Sequence, residues 1–112
     1  MTVQYGEFPL PMDYQDDELE VLIDNFITEK EKGSKRFTYR EICASLFRSA
    51  YSDGRLKKDT DTVYNSPVMT DEDAERVSRL LWLRIWGKKL FVNFNVNKYA
   101  THYPHDITFC IF

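Results

Sequence analysis

Glycine is scarce in this chain, four in 112 residues. So few leave little from which to build a glycine-rich phosphate cradle, and neither a P-loop nor a nucleophile elbow occurs. Cysteine is scarcer, with Cys43 and Cys110 alone, each among apolar neighbours. That pattern reads as two small thiols in a reducing compartment rather than a disulfide framework. No apolar run approaches the roughly 20 residues a membrane span needs. The opening MTVQYGEFPLPM has neither the basic start nor the apolar middle of a signal peptide. Internal repeats and low-complexity tracts are missing too. What remains is 43% apolar and 15% aromatic residues, material for one packed core. A single cytoplasmic domain is expected, with no cofactor, no metal and no membrane partner.

The net charge of −3 argues mildly against bulk attraction to a polyanion. Its distribution is uneven. Residues 1–31 hold nine acids and one base, and residues 32–58 hold eight bases and two acids. Residues 59–75 hold six acids and no base, whereas residues 76–105 hold six bases and no acid. Such blocks either fold into separate acidic and basic faces or intermingle and cancel.

Residues 1–15 are predicted to be extended, because Pro9 and Pro11 push the residues before them out of the helical region. A first helix is expected over Asp16–Lys32, where Leu19, Leu22, Ile23, Phe26 and Ile27 share one face. Asp16, Asp17 and Glu18 suit its positive end, Lys30 and Lys32 its negative end, and Gly33 its stop. Phe37 closes a very short strand. Thr38 and Glu41 have the spacing of a capping box for a second helix over Tyr39–Ala50, burying Ile42, Leu46 and Phe47. Residues 51–69 are turn-rich and polar and read as a long loop, unusual inside a compact domain and hence a candidate functional insertion.

Thr70 caps a third helix with Asp71, Glu72 and Asp73 in its first turn, running to Trp86 before Gly87. Ala74, Val77, Leu81 and Ile85 project to its core face, with Trp82 at the border. Arg76, Arg79 and Arg84 fall on the other side, with Leu80 and Leu83 between them. The period then changes from 3.6 to 2. Leu90, Val92, Phe94 and Val96 alternate with Phe91, Asn93, Asn95 and Asn97, and ITFCIF alternates again at the end. These two strands are predicted to form an antiparallel hairpin with KYATHYPHD at its tip.

The order is α+β: helix, short strand, helix, helix, strand, strand. Over about residues 17–112, RFTYREICASLF, EDAERVSRLLWLRIWGKK, LFVNFNVN and ITFCIF in succession resemble the winged helix-turn-helix superfamily. The resemblance implies a winged-helix-like domain over residues 16–112, three helices with a C-terminal β-hairpin as the wing. It also implies DNA binding, with the third helix in the major groove and the wing on the backbone or in the minor groove. By position it assigns Arg76, Arg79 and Arg84 to the groove and Lys88, Lys89 and Lys98 to phosphates. Guanidinium groups read guanine edges bidentately, and each neutralised phosphate releases counterions.

Plainer readings stand beside these. The arginines also suit a solvated helix face whose stems cover apolar neighbours, or contact with an acidic protein partner. Trp82 and Trp86, four apart, are expected to pack under the hairpin; the alternative makes them, with Phe91, anchors for a partner. Asn93, Asn95 and Asn97 read as exposed polar decoration. His102 and His105, beside Asp106, are too few to hold a metal. Cys43 lies in a helix with no histidine near it, and no residue is assigned to catalysis. The alternative function is a small protein-interaction module, an inhibitor or adaptor of phage or mobile-element type. A homodimer through the N-terminal segment or the outer tryptophan face is a further expectation.

Overall fold

The protein is described from a computed structural model, which covers residues 2–92 and 107–111. Along the chain these form β1 (Thr2–Pro9), α1 (Asp16–Glu31), β2 (Arg36–Thr38), α2 (Tyr39–Ser52), β3 (Thr62–Val68), α3 (Asp71–Trp86), β4 (Leu90–Val92) and β5 (Thr108–Ile111). The class is α+β, as the sequence predicts.

Local chemistry starts each helix. At α1 the Glu18 carboxylate accepts the Gln15 amide at 2.9 Å. At α2 the Thr38 hydroxyl accepts the Glu41 amide at 3.1 Å, and the Glu41 carboxylate also reaches Lys30 Nζ at 3.2 Å. At α3 the Thr70 hydroxyl accepts the Asp73 amide at 3.1 Å. The bonds from the Gln15, Glu41 and Asp73 amides satisfy main-chain donors that the start of a helix leaves without a partner.

The main sheet is β2-β5-β4, antiparallel throughout, with β5 in the middle. Phe37 on β2 sits opposite Phe109 on β5, their rings 5.5 Å apart, and Phe26 of α1 meets Phe37 edge-on at 5.1 Å. Under this sheet α1 supplies Leu19 and Ile23, α2 Ile42 and Leu46, and α3 Val77 and Leu81, all nearly or fully buried. The N-terminal arm adds Leu10, Met12 and Tyr14 to the same core.

Two segments differ from the sequence expectation. Residues 51–69 are not a loop throughout: α2 runs on to Ser52, and β3 pairs in parallel with β1 in the register Thr2↔Thr62, Val3↔Val63, Gln4↔Tyr64. The pairing joins positions 60 apart, so nothing in either local pattern signals it. Gly6, at φ +80°, sits where the register shifts, a backbone conformation that glycine adopts without cost. The predicted hairpin holds where it is described, with Leu90 opposite Ile111 and Val92 opposite Phe109. Asn93, Asn95, Asn97, Lys98, His102 and His105 lie outside the described residues.

Gly87 follows α3, but the left-handed residue of the terminus is Lys88, at φ +60°. The Lys89 amide closes the turn on the Arg84 carbonyl at 3.0 Å. A side chain in this conformation is strained where glycine is not. Lys88→Gly is therefore expected to raise stability by about 0.5–1 kcal/mol in urea unfolding. An unchanged midpoint would show that the terminus is unstrained.

Candidate functional site

The sequence concentrates basic and aromatic residues on α3, and the fold sorts them. Asp16 and Asp24 on α1 are eight residues apart, as are Arg76 and Arg84 on α3, and the helices pass each other in the same direction. Arg76 Nη1 donates to Asp16 Oδ1 at 3.1 Å and to the Tyr14 carbonyl at 2.8 Å, while Nη2 donates to Asp73 Oδ1 at 3.0 Å. The other Asp73 oxygen accepts the Met12 amide at 2.7 Å. Asp73 is buried, so this carboxylate fastens the N-terminal arm to α3 from inside the protein.

Arg84 is held more tightly. Its Nε and Nη2 donate to Asp24 Oδ1 at 3.0 and 2.6 Å, Nη1 to the Leu80 carbonyl at 2.9 Å and Nη2 to the Glu20 carbonyl at 3.3 Å. Only 11% of its side chain stays accessible. Arg79 is the exception, half exposed and 3.8 Å from Asp16. Of the groove-side arginines, two thus face α1 and the arm, and one faces solvent. Lys88 and Lys89 are exposed beyond the helix, lining a shallow depression with Ile27, Glu31 and Ile111.

The tryptophans correct the expectation of packing under the hairpin. Trp86 is 78% exposed and Trp82 49%, with Leu83 at 51% beside them. Leu80, read from the projection as lying among the outward arginines, is buried instead. The inward guanidiniums rotate α3 so that Val77, Leu80 and Leu81 take the core. Arg79, Trp82, Leu83 and Trp86 then share the outer stripe, at the i, i+3, i+4, i+7 spacing of one helical face. Phe91 on β4 is 40% exposed, on the opposite face from buried Leu90.

The first half of the stripe is acidic, through exposed Asp71, Glu72 and Glu75. A cleft beside it mixes signs, lined by Glu72, Glu75, Arg76, Arg79 and Lys57. So the outer side of α3 passes from carboxylates, through one arginine, to an apolar end that two exposed lysines follow in the chain. The chain matches no family model, no curated protein and no solved structure. Its side chains alone carry the functional argument.

Among the described residues no group of three or more His, Cys, Asp or Glu side chains could hold a metal, and no helix is long and apolar enough to cross a membrane. Burial pushes the Cys43 thiol up to about 11, partly offset by its hydrogen bond with Tyr39. Burial also raises Tyr39, whose hydroxyl donates to the Ala74 carbonyl and ties α2 to α3.

Signals for part of this arrangement were present in the sequence. The matched eight-residue spacings of Asp16/Asp24 and Arg76/Arg84 point to an interhelical lock, but only once the two helices are known to be neighbours.

Two outcomes follow. Asp73→Ala removes the acceptor of a buried amide and one partner of Arg76, and is expected to cost about 2–3 kcal/mol in urea unfolding. Arg79→Ala should stay within about 0.5 kcal/mol of the parent. The second outcome is chemical. At pH 8 a thiol at about 11 holds on the order of a hundredfold less thiolate than an ordinary one, so Cys43 should be alkylated slowly by iodoacetamide, with mass spectrometry locating the label.

Proposed function

We propose that the chain is a non-enzymatic cytoplasmic protein-interaction module that docks the apolar C-terminal half of the outer face of α3 into a groove of a protein partner. One observation carries the reading: Arg76 and Arg84 turn inward onto Asp16, Asp73 and Asp24, while Trp82, Leu83 and Trp86 turn outward. A polyanion-binding helix would spend its guanidiniums on phosphates; here they are spent on carboxylates of the same chain. The exposed apolar end fits the helix-in-groove mode, in which one stripe inserts into a partner's groove. Tryptophan and arginine are the residues that most often dominate such contacts. Arg79 opens this end of the stripe and the exposed Lys88 and Lys89 follow it in the chain, so its net charge is positive and favours a groove with acidic edges.

DNA binding in the winged-helix manner is the second reading. It is supported by the order α1, β2, α2, β3, α3, β4, β5 with the sheet order β2-β5-β4, in which β4 and β5 would serve as the wing, while β3 stands where the family has a short turn. Arg79, Lys88 and Lys89 would then be its contacts, with Lys98 outside the described residues. Against it stand the carboxylates Asp71, Glu72 and Glu75 on the half of α3 that would enter the groove first.

The test uses both partner classes. Affinity capture by the parent chain, repeated with Trp82→Ala and Trp86→Ala, should yield a protein whose purified form binds each variant at least about tenfold more weakly, the range of a hot-spot truncation. Random duplex DNA at low salt should give no mobility shift. A salt-sensitive shift weakened by Arg79→Ala or Lys89→Ala would overturn the protein reading and establish the nucleic-acid one.

A further inference from the structure

The β1–β3 ribbon is an unusual object. Parallel strands normally occur in sheets with both faces covered, and a lone two-stranded sheet is marginal in water. Here Val3, Tyr5 and Val63 are 44%, 74% and 49% exposed, and neither strand pairs with a third among the described residues.

The two outer edges are not equivalent. The Thr2 amide donates to the Asp61 carbonyl at 3.0 Å, so Thr2 and Gln4 turn their main-chain groups toward β3. Val3 and Tyr5, alternating with them, turn theirs outward, where the Tyr5 carbonyl accepts a bond from the side chain of its neighbour Gln4 at 3.3 Å and keeps a second lone pair. The β3 edge is blunted by Pro67, which has no N–H to offer. From Thr2 to Phe8 the β1 edge carries no proline and no lysine, the devices that usually protect a strand edge, and Glu7 is its one charge. The shift at Gly6 confines the regular part of this edge to Thr2–Tyr5.

We infer that two copies of the chain join through this edge, β1 against β1, antiparallel about a two-fold axis at Gln4. The edge is complementary to itself. Val3 exchanges both main-chain hydrogen bonds with Tyr5 of the second copy, and Tyr5 with its Val3, as hydrogen-bonded antiparallel pairs do. The result is a four-stranded sheet in the order β3-β1-β1-β3. On one face Val63, Val3 and Tyr5 of the second copy then form an apolar row, and the symmetry repeats it. Glu7 lies beyond the shift at Gly6, so no two carboxylates are brought opposite each other. An isologous contact of this kind closes at two copies and leaves the blunted β3 edges outermost. It uses none of the α3 face.

Light scattering of the untagged full chain over a dilution series tests the pairing. The mass should rise with concentration from 13.3 kDa toward twice that value. Val3→Lys and Tyr5→Lys, at exposed positions, should each hold the chain as a monomer with an unchanged circular dichroism spectrum, while Trp86→Ala should leave the dimer intact. In the parent chain the Val3 and Tyr5 amides should exchange slowly at high concentration and quickly at low. A monomer at every concentration overturns the inference. So does a dimer that survives both lysine substitutions, or one abolished by Trp86→Ala, which would place the contact on α3.

Discussion

Which way α3 faces depends on the guanidiniums of Arg76 and Arg84. Apolar burial supplies most of the stability: Val77, Leu80 and Leu81 contribute roughly 1.5–3 kcal/mol each on being fully enclosed. Yet burial alone chooses poorly among rotations of this helix. Between Leu80 and Trp86 only Arg84 is polar, so most rotations would bury a comparable apolar area. Ion pairs with carboxylates as exposed as Asp16 and Asp24 add little net free energy. They act by excluding alternatives, because a rotation that buried Trp86 would leave Arg84 without Asp24 and the Glu20 carbonyl of α1.

Asp73 plays a different part. It is enclosed, and its two oxygens serve a main-chain amide from the arm and a guanidinium from its own helix. A buried carboxylate with no partners would be costly, so the arm and α3 are ordered together. Arg55 continues the fastening one step along. It donates to the Asp13 carbonyl at 2.9 and 2.6 Å and to Glu18 at 2.7 Å, with its guanidinium over the Tyr14 ring. The Gln15 amide and Arg55 together hold the Glu18 carboxyl below its usual range. This contribution is present at neutral pH and fades as pH falls through the lowered value. The arm that ends in β1 is thus anchored at Met12, Asp13 and Tyr14, and β1 starts from a fixed point.

The three helices were legible because their signals are local. Thr38 and Thr70 are caps, Leu19/Ile23 and Val77/Leu81 are single-face repeats, and acids open α1 and α3 just where the helix dipole favours them. The orientation of α3 was not legible, since periodicity locates a face only when apolar and polar residues alternate around the axis. Leu80 was misplaced for that reason, and Trp82 and Trp86 were assigned to a core already filled by smaller side chains. The ribbon was hidden by distance: Thr2 meets Thr62 only after α1, β2 and α2 have formed the crossover between them. A polar, proline-bearing segment such as residues 62–68 becomes a strand because a partner edge is offered, not because its own sequence demands it.

Both uncovered surfaces follow from that division of labour. Among the described residues the core closes with Leu10, Met12 and the inner faces of three helices; of the ribbon Tyr64 packs against it, while Val3, Tyr5, Val63, Trp82 and Trp86 stay outside. Burying Trp82 and Trp86 would require another layer, which the described residues do not supply. Leaving such large apolar groups in water sacrifices stability that smaller or polar residues would have kept. Where a helix gives up that much on one face while satisfying every guanidinium on the other, the asymmetry is better explained by contact with something else than by the needs of the fold. The surfaces also differ in kind: main-chain groups on β1 can recognise another strand regardless of its side chains, whereas the α3 stripe discriminates by shape and by the charge around it. On the two proposals, a single small domain would pair with itself through one and select a different partner through the other.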